Sequence, residues 1–91
     1  MEVIESRAFA GCINLEEVIL PSTLKTIGHG AFYRCNTLNR IEIPDGIENI
    51  KAFVFDSCKN LKEISLPSHQ IKYVNKCAFS GCLKTKIIYR D

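Results

Sequence analysis

One pattern, Ala-Phe-x-x-Cys, recurs in register along the whole chain and restricts its fold more than any other feature. It stands as Ala8-Phe9…Cys12, Ala31-Phe32…Cys35 and Ala78-Phe79…Cys82, with Val54-Phe55…Cys58 as a variant. The phenylalanines are 23, 23 and 24 residues apart, and the cysteines keep the same steps. Leu15, Leu38 and Leu61 follow each Cys at a fixed offset, and Val18, Ile41, Ile64 and Ile88 lie nine residues after each Phe. Leu20-Pro21, Ile43-Pro44 and Leu66-Pro67 come next, followed by Leu24, Ile47 and Ile71, then Ile27, Ile50 and Val74. Ile4 is the earlier equivalent of Ile27, and Met1 falls at the place of Leu24. The extra residue of the last step sits in Ser68-His69-Gln70. A period of 20–29 residues with spaced leucines is the mark of a leucine-rich repeat, in which no single unit buries its apolar side alone.

Each unit translates into one coil of a solenoid. Val18 and Leu20 are two apart, which is strand periodicity, and Ile41/Ile43 and Ile64/Leu66 repeat it. Proline ends each of these strands because it has no N–H for the ladder. A second, less regular extended run follows from Leu24 to Ile27. Ala-Phe-x-x-Cys-x-x-Leu spaces its apolar residues by three, which predicts a 3₁₀ or short α turn. The expected fold is a mostly β leucine-rich repeat solenoid of about four coils, with parallel strands about 4.8 Å apart. Coils of 23–24 residues would span approximately 1–23, 24–46, 47–70 and 71–91 of a single repeat domain.

Charges support that stacking. Glu17, Arg40 and Glu63 would become ladder neighbours of alternating sign, as would Glu2, Lys25, Glu48 and Lys72. Opposite charges across adjacent strands stabilise by roughly 0.2–1 kcal/mol per pair. The outward positions of the first strand are then Glu17, Ile19, Arg40, Glu42, Glu63, Ser65, Ile87 and Tyr89, and they form the expected partner-binding face. Ile87 and Tyr89 have a second reading, as residues packed under an altered last coil. Tyr33 and Tyr73 are further exposed candidates on other sides.

The core positions are Phe9, Cys12, Phe32, Cys35, Phe55, Cys58, Phe79 and Cys82. Five cysteines in 91 residues first resemble a disulfide framework, yet four occupy one repeat position. Stacked equivalents point in parallel, whereas a disulfide needs converging Cβ vectors. Four sulfurs at strand spacing form a line about 14 Å long, unlike a zinc site. They read as small buried apolar residues beside Phe. Cys77 falls outside the pattern, with Arg7, Gly30 and Phe53 as its equivalents, and its redox state is left open.

Little else carries chemistry. His29 and His69 have no nucleophile or carboxylate at a motif spacing. There is no phosphate loop, dinucleotide glycine pattern or metalloprotease His pair, so no enzyme, metal or cofactor is expected. A net charge of +2, with only Lys84, Lys86 and Arg90 clustered near the end, does not argue for nucleic acid. No apolar run reaches the roughly 18 residues of a membrane helix, so no membrane insertion is expected. The first residues have neither the basic start nor the apolar stretch of a secretory signal. That leaves two readings, an intracellular protein or a piece of a longer one.

The complete unit Ile-x-x-x-Ala-Phe-x-x-Cys-x-x-Leu-x-x-Ile-x-Leu-Pro-x-x-Ile-x-x-Ile, running through residues 4–82, resembles the BspA-like (Treponema pallidum-type) leucine-rich repeats. The end departs from it: Thr85 stands where Leu is expected and Arg90-Asp91 where Leu-Pro is expected. The resemblance implies a curved, right-handed repeat stack in a cell-surface or extracellular protein, used in adhesion and protein binding, with no catalytic residues. Two functions follow as expectations. One is a non-catalytic module for a protein ligand, cut from a longer surface protein. The other is a structural unit that self-associates, for instance as a homodimer through open solenoid ends or strand edges.

Overall fold

Among the described residues, the strand alternation read from the sequence is realised as eight short strands. The computed structural model describes residues 2–82 and 84–90. Met1 and Asp91, both given a place in the repeat above, lie outside the described residues. The elements are β1 (Val3–Ile4), β2 (Glu17–Val18), β3 (Thr26–Ile27), β4 (Arg40–Glu42), β5 (Asn49–Ile50), β6 (Glu63–Pro67), β7 (Tyr73–Val74) and β8 (Lys86–Arg90). All pairings are parallel. The first strands of the coils form one four-stranded sheet, β2-β4-β6-β8, while the second runs form two pairs, β1-β3 and β5-β7. A hollow of about 330 Å³ lined by Thr26, Gly46 and Asn49 lies between those two pairs. Among the described residues no helix is long and apolar enough to cross a membrane.

The core is the stack of equivalent side chains. Phe9, Phe32, Phe55 and Phe79 form a face-to-face column, with centroids 5.4, 5.6 and 5.6 Å apart and planes within 8°. Phe32 and Phe55 are fully buried, together with Leu24, Ile27, Leu38, Ile43, Ile47, Ile50, Leu61, Ile64 and Leu66. Their counterparts in the two end coils, Phe9, Leu15, Val18 and Leu20 at one end and Ile71, Val74 and Phe79 at the other, are only partly covered. This is what a stack predicts, because each coil is buried by its two neighbours and the outer coils have one.

The segment around Phe is not the helical turn that the spacing of three predicted. Ala8 N–H bonds to the Glu5 carbonyl, Ala10 to Arg7 and Cys12 to Phe9, each three residues back. The N–H groups between them leave the coil: Arg7, Phe9 and Gly11 donate to His29, Ala31 and Tyr33 of the next coil at 2.9, 2.8 and 2.7 Å. A 3₁₀ helix would direct every N–H along its own axis. Here left-handed residues break the helix: φ is +60° at Arg7, +75° at Gly11, +63° at Gly30, +59° at Arg34, +63° at Phe53 and +61° at Ser57. The result is a ladder of turns that pairs from coil to coil as a sheet does.

A second correction concerns the last coil. β8 pairs with β6 as Glu63↔Lys86, Ile64↔Ile87, Ser65↔Ile88, Leu66↔Tyr89 and Pro67↔Arg90. Ile87 therefore lies eight residues after Phe79, whereas Ile64 lies nine after Phe55. One residue is missing from the connector after Cys82. A one-residue shift exchanges the two faces of a strand. By register Ile87 and Tyr89 consequently take the places of the buried Ile64 and Leu66, while remaining 40% and 57% exposed in this outer coil, and Ile88 takes the outer side. Tyr89-Arg90, not Arg90-Asp91, occupies the Leu-Pro place.

Gly28 sets how closely the first two coils approach. A Cβ there would lie 2.4 Å from the Ser6 backbone nitrogen and 2.7 Å from Ser6 Cα. Gly28→Ala must push one coil away from the other, and its expected cost is about 1–3 kcal/mol. At Gly11 an added Cβ meets nothing within 4 Å, so Gly11→Ala should carry only the left-handed backbone cost, about 1 kcal/mol. Urea midpoints of the two variants measure the difference, and equal midpoints would contradict the close approach.

Candidate functional site: the outer face of the four-stranded sheet

Parallel pairing in register turns the outward residues of β2, β4, β6 and β8 into two rows. The first is Glu17, Arg40, Glu63, Lys86. Its signs alternate over all four strands, one strand further than the sequence reading carried it. Arg40 and Glu63 approach to 3.8 Å, with 70% and 40% of their side chains exposed. So exposed a pair is worth at most about 1 kcal/mol and leaves both charges available to a partner. On the other side of the coil, Lys72 and Glu48 repeat the arrangement at 3.4 Å.

The second row is Ile19, Glu42, Ser65, Ile88. Ile19 precedes the next residue of its row by 23 positions, at the end of the sheet, and is 94% exposed. Ile88, at the opposite end, is 37% exposed. Between them lies a shallow hollow of about 430 Å³, lined by Glu17, Ile19, Arg40, Glu42, Glu63, Ser65 and Ile88. Six of the eight residues expected on the binding face are thus brought together. Ile87 and Tyr89 are not among them.

The apolar repeat pattern alone does not mark a third group of residues. Pro67 stands opposite Pro44 in the repeat and has no N–H, so the carbonyl of Ile43 cannot be met by the ladder. The guanidinium of Arg90 reaches across β6 and donates to that carbonyl. It also donates to Ser65 Oγ at 2.6 Å and to Asp45 Oδ1 at 3.1 Å. Arg90 thereby ties three strands together and walls a second hollow of about 380 Å³ with Ile19, Glu42, Pro44 and Asp45. The alternating charges held the clue to this register: continuing Glu17, Arg40, Glu63 by 23 residues leads to Lys86, which moves Ile88 and Arg90 to the outer face.

The cysteines belong to the core. Cys35, Cys58 and Cys82 each donate the thiol proton to the carbonyl of the preceding coil's phenylalanine, Phe9, Phe32 and Phe55, at 3.1, 3.0 and 2.9 Å. Burial pushes all three thiols up, Cys58 to about 12. The carbonyl-bound protonated form is held and the reactive thiolate is suppressed. All five cysteines are free thiols. Cys77 is half-buried, and its N–H is taken by the Asn75 side chain at 2.8 Å.

Known proteins share this architecture. A family model described as BspA type leucine rich repeat region (6 copies) matches residues 1–91. The crystal structure of a leucine rich cell surface protein from Faecalibacterium prausnitzii A2-165 superposes with a TM-score of 0.74 at 29% identity, covering 100% of this chain and 30% of that one. The Treponema pallidum leucine rich repeat protein superposes with a TM-score of 0.71 at 20% identity, covering 98% of this chain and 44% of that one. The chain therefore spans less than half the length of either protein. No curated protein matches it significantly. With the repeat unit, the parallel coils and the whole-length match in agreement, the chain belongs to the BspA-type leucine-rich repeat family.

Proposed function

We propose that this chain is a non-catalytic module that binds a protein ligand through the outer face of its four-stranded sheet, as part of a surface-associated adhesion-type protein. The observation that carries the reading is the hollow across β2, β4, β6 and β8, where charges of both signs stand beside the exposed Ile19 and Ile88. A surface of this kind offers a polar, solvated rim and two apolar contacts to a partner. Solenoids present such extended faces, and their family role as interaction modules supports the same reading. The cell-surface location rests on the family and on the surface protein from Faecalibacterium prausnitzii.

The test is surface plasmon resonance of the chain against a panel of purified extracellular-matrix proteins. Arg40→Glu and Glu42→Lys are each expected to weaken a positive binder about ten-fold, the loss that follows when a charge is reversed in a recognition face. Lys59→Glu, which lines a separate hollow with Arg34 and Asn36, should leave binding unchanged. Binding that persists in both face variants but fails in Lys59→Glu would move the site to the turn edge.

A further inference from the structure

We propose that the turn edge of the stack is a binding track for a sulfated polysaccharide. The edge is built by residues 5–15, 28–38, 51–61 and 75–85. These segments open with the turn bonds of Ala8, Ala31, Val54 and Ala78 N–H to the Glu5, Gly28, Lys51 and Asn75 carbonyls. They hold six of the twelve Lys and Arg residues and two of the ten acids, Glu5 and Asp56. The rest of the chain holds six basic residues against eight acids, so the net charge of +2 has its source on this edge. A field polarised in this way draws an anion to one side of a molecule whose overall charge is small.

The cations run obliquely across the coils. Arg7 stands five residues before Cys12, Arg34 one before Cys35, Lys59 one after Cys58 and Lys84 two after Cys82. All four are exposed. At about 4.8 Å per coil they cover at least about 14 Å of the stack. The middle of the track is a hollow of about 300 Å³ lined by Arg34, Asn36, Ser57 and Lys59. These four residues belong to the two inner coils. None of them lines the hollow on the sheet face, so the proposal stands apart from the reading above.

The fold holds the arginines in place without neutralising them. A Cβ at Gly30 would lie 3.4 Å from Arg7 Cγ, so the bare glycine leaves the path by which Arg7 crosses onto the next coil. There its guanidinium carbon sits 5.6 Å from the centre of the Tyr33 ring, and that of Arg34 sits 5.2 Å from the same ring. Such contacts restrain a guanidinium and keep its charge. Among the described residues, Arg7, Arg34 and Lys59 take no part in an ion pair. Asp56 accepts the Ser57 Oγ–H at 2.9 Å and does not line the hollow.

These groups match a sulfated sugar. Arginine and lysine donate charge-assisted hydrogen bonds to sulfate oxygens. The Asn36 amide can donate to, and accept from, sugar hydroxyls. Phe53, 44% exposed, stands in the row of Arg7 and Gly30 and offers an apolar ring face to the C–H side of a sugar. A single-stranded nucleic acid needs successive aromatic platforms for its bases, and Tyr33 already carries two guanidinium groups. Tight duplex binding rests on about 6–10 phosphate contacts, more than a track of four cations supplies.

Isothermal titration calorimetry with heparin, a sulfated polysaccharide used here free of protein, tests the proposal. Three or four engaged charges should cost about 20–50-fold in affinity between about 50 and 200 mM salt, on the scale of flexible polyanions. Arg34→Gln/Lys59→Gln is expected to weaken binding at least about ten-fold at the lower salt and to cut the salt dependence by about half. Lys25→Gln/Lys72→Gln lowers the net charge by the same amount and should leave binding unchanged. Tyr33→Leu keeps every charge but frees the arginines, so it should weaken binding about three-fold with the salt dependence intact. Circular dichroism verifies that the variants are folded. Should the first double variant fail to fold, Lys59→Gln alone replaces it and should lower the salt slope by about one. Absence of heparin binding at the lower salt would overturn the proposal, as would equal losses in the two double variants. Tighter binding of single-stranded DNA or polyglutamate of matched charge would overturn it as well.

Discussion

Phe32→Ala is expected to lower the stability of the chain by about 3–5 kcal/mol, the range for truncating a fully buried aromatic side chain. Phe32 is 0% exposed and is stacked on both faces, against Phe9 at 5.4 Å and Phe55 at 5.6 Å. Nothing next to it can collapse into the space, because its neighbours in the column are held by the same backbone ladder on either side. A chain of this length has roughly 5–14 kcal/mol in total. The loss therefore removes a large share of it and separates the first coil from the last two. Phe79→Ala, by contrast, removes a ring that is only partly covered and stacks on one neighbour, Phe55. Its cost should be well under that of Phe32→Ala. Urea unfolding followed by circular dichroism gives both values. Equal costs for the two would mean that stability is not transmitted through the column.

This column was legible in the sequence because it depends only on spacing. Equivalent residues of a repeat must stack if the strands pair in register, so Phe, Cys and the Ile/Leu positions identified the core without coordinates. The charge rows were legible for the same reason, since Glu17, Arg40 and Glu63 are tied to the same register. What escaped was whatever depends on local conformation. The apolar spacing of three around Phe is shared by a helical turn and by the turn ladder, and it is the left-handed φ at Arg7, Arg34, Phe53 and Ser57 that decides between them. None of these residue types announces such a conformation, which glycine adopts far more readily. The last coil escaped because its connector is one residue short and Thr85 replaces the leucine that would have marked the count. Thr85 instead bonds the Leu61 carbonyl at 2.7 Å, which ties the shortened connector to the coil before it. From that slip follow the place of Ile87 and Tyr89 in the core rows, the outward place of Ile88 and the reach of Arg90 across the sheet.

Raising the pH above 9 should destabilise the fold through Cys58, and Cys58→Ala should remove that part of the loss. The thiol is 0% exposed and donates to the Phe32 carbonyl at 3.0 Å, and burial raises its pKa from 9.0 to about 12. In the unfolded chain the same thiol ionises near its ordinary value. Between those two values the unfolded state binds fewer protons than the folded state, so stability falls as pH rises. The contribution is fully present below about pH 9 and is lost progressively towards pH 12. Three pKa units set its ceiling at about 4 kcal/mol. The informative quantity is the difference between the natural chain and Cys58→Ala, measured by urea unfolding at pH 8 and pH 10.5. The natural chain should lose more stability across that interval than the variant does. Parallel slopes would show that the thiol ionises as easily in the fold as out of it. The same burial predicts that a disulfide-exchange reagent at pH 8 labels Cys58 only as fast as the chain opens. Labelling within seconds in the folded state would place the sulfur outside the core and sever the link between the cysteine ladder and the phenylalanine column.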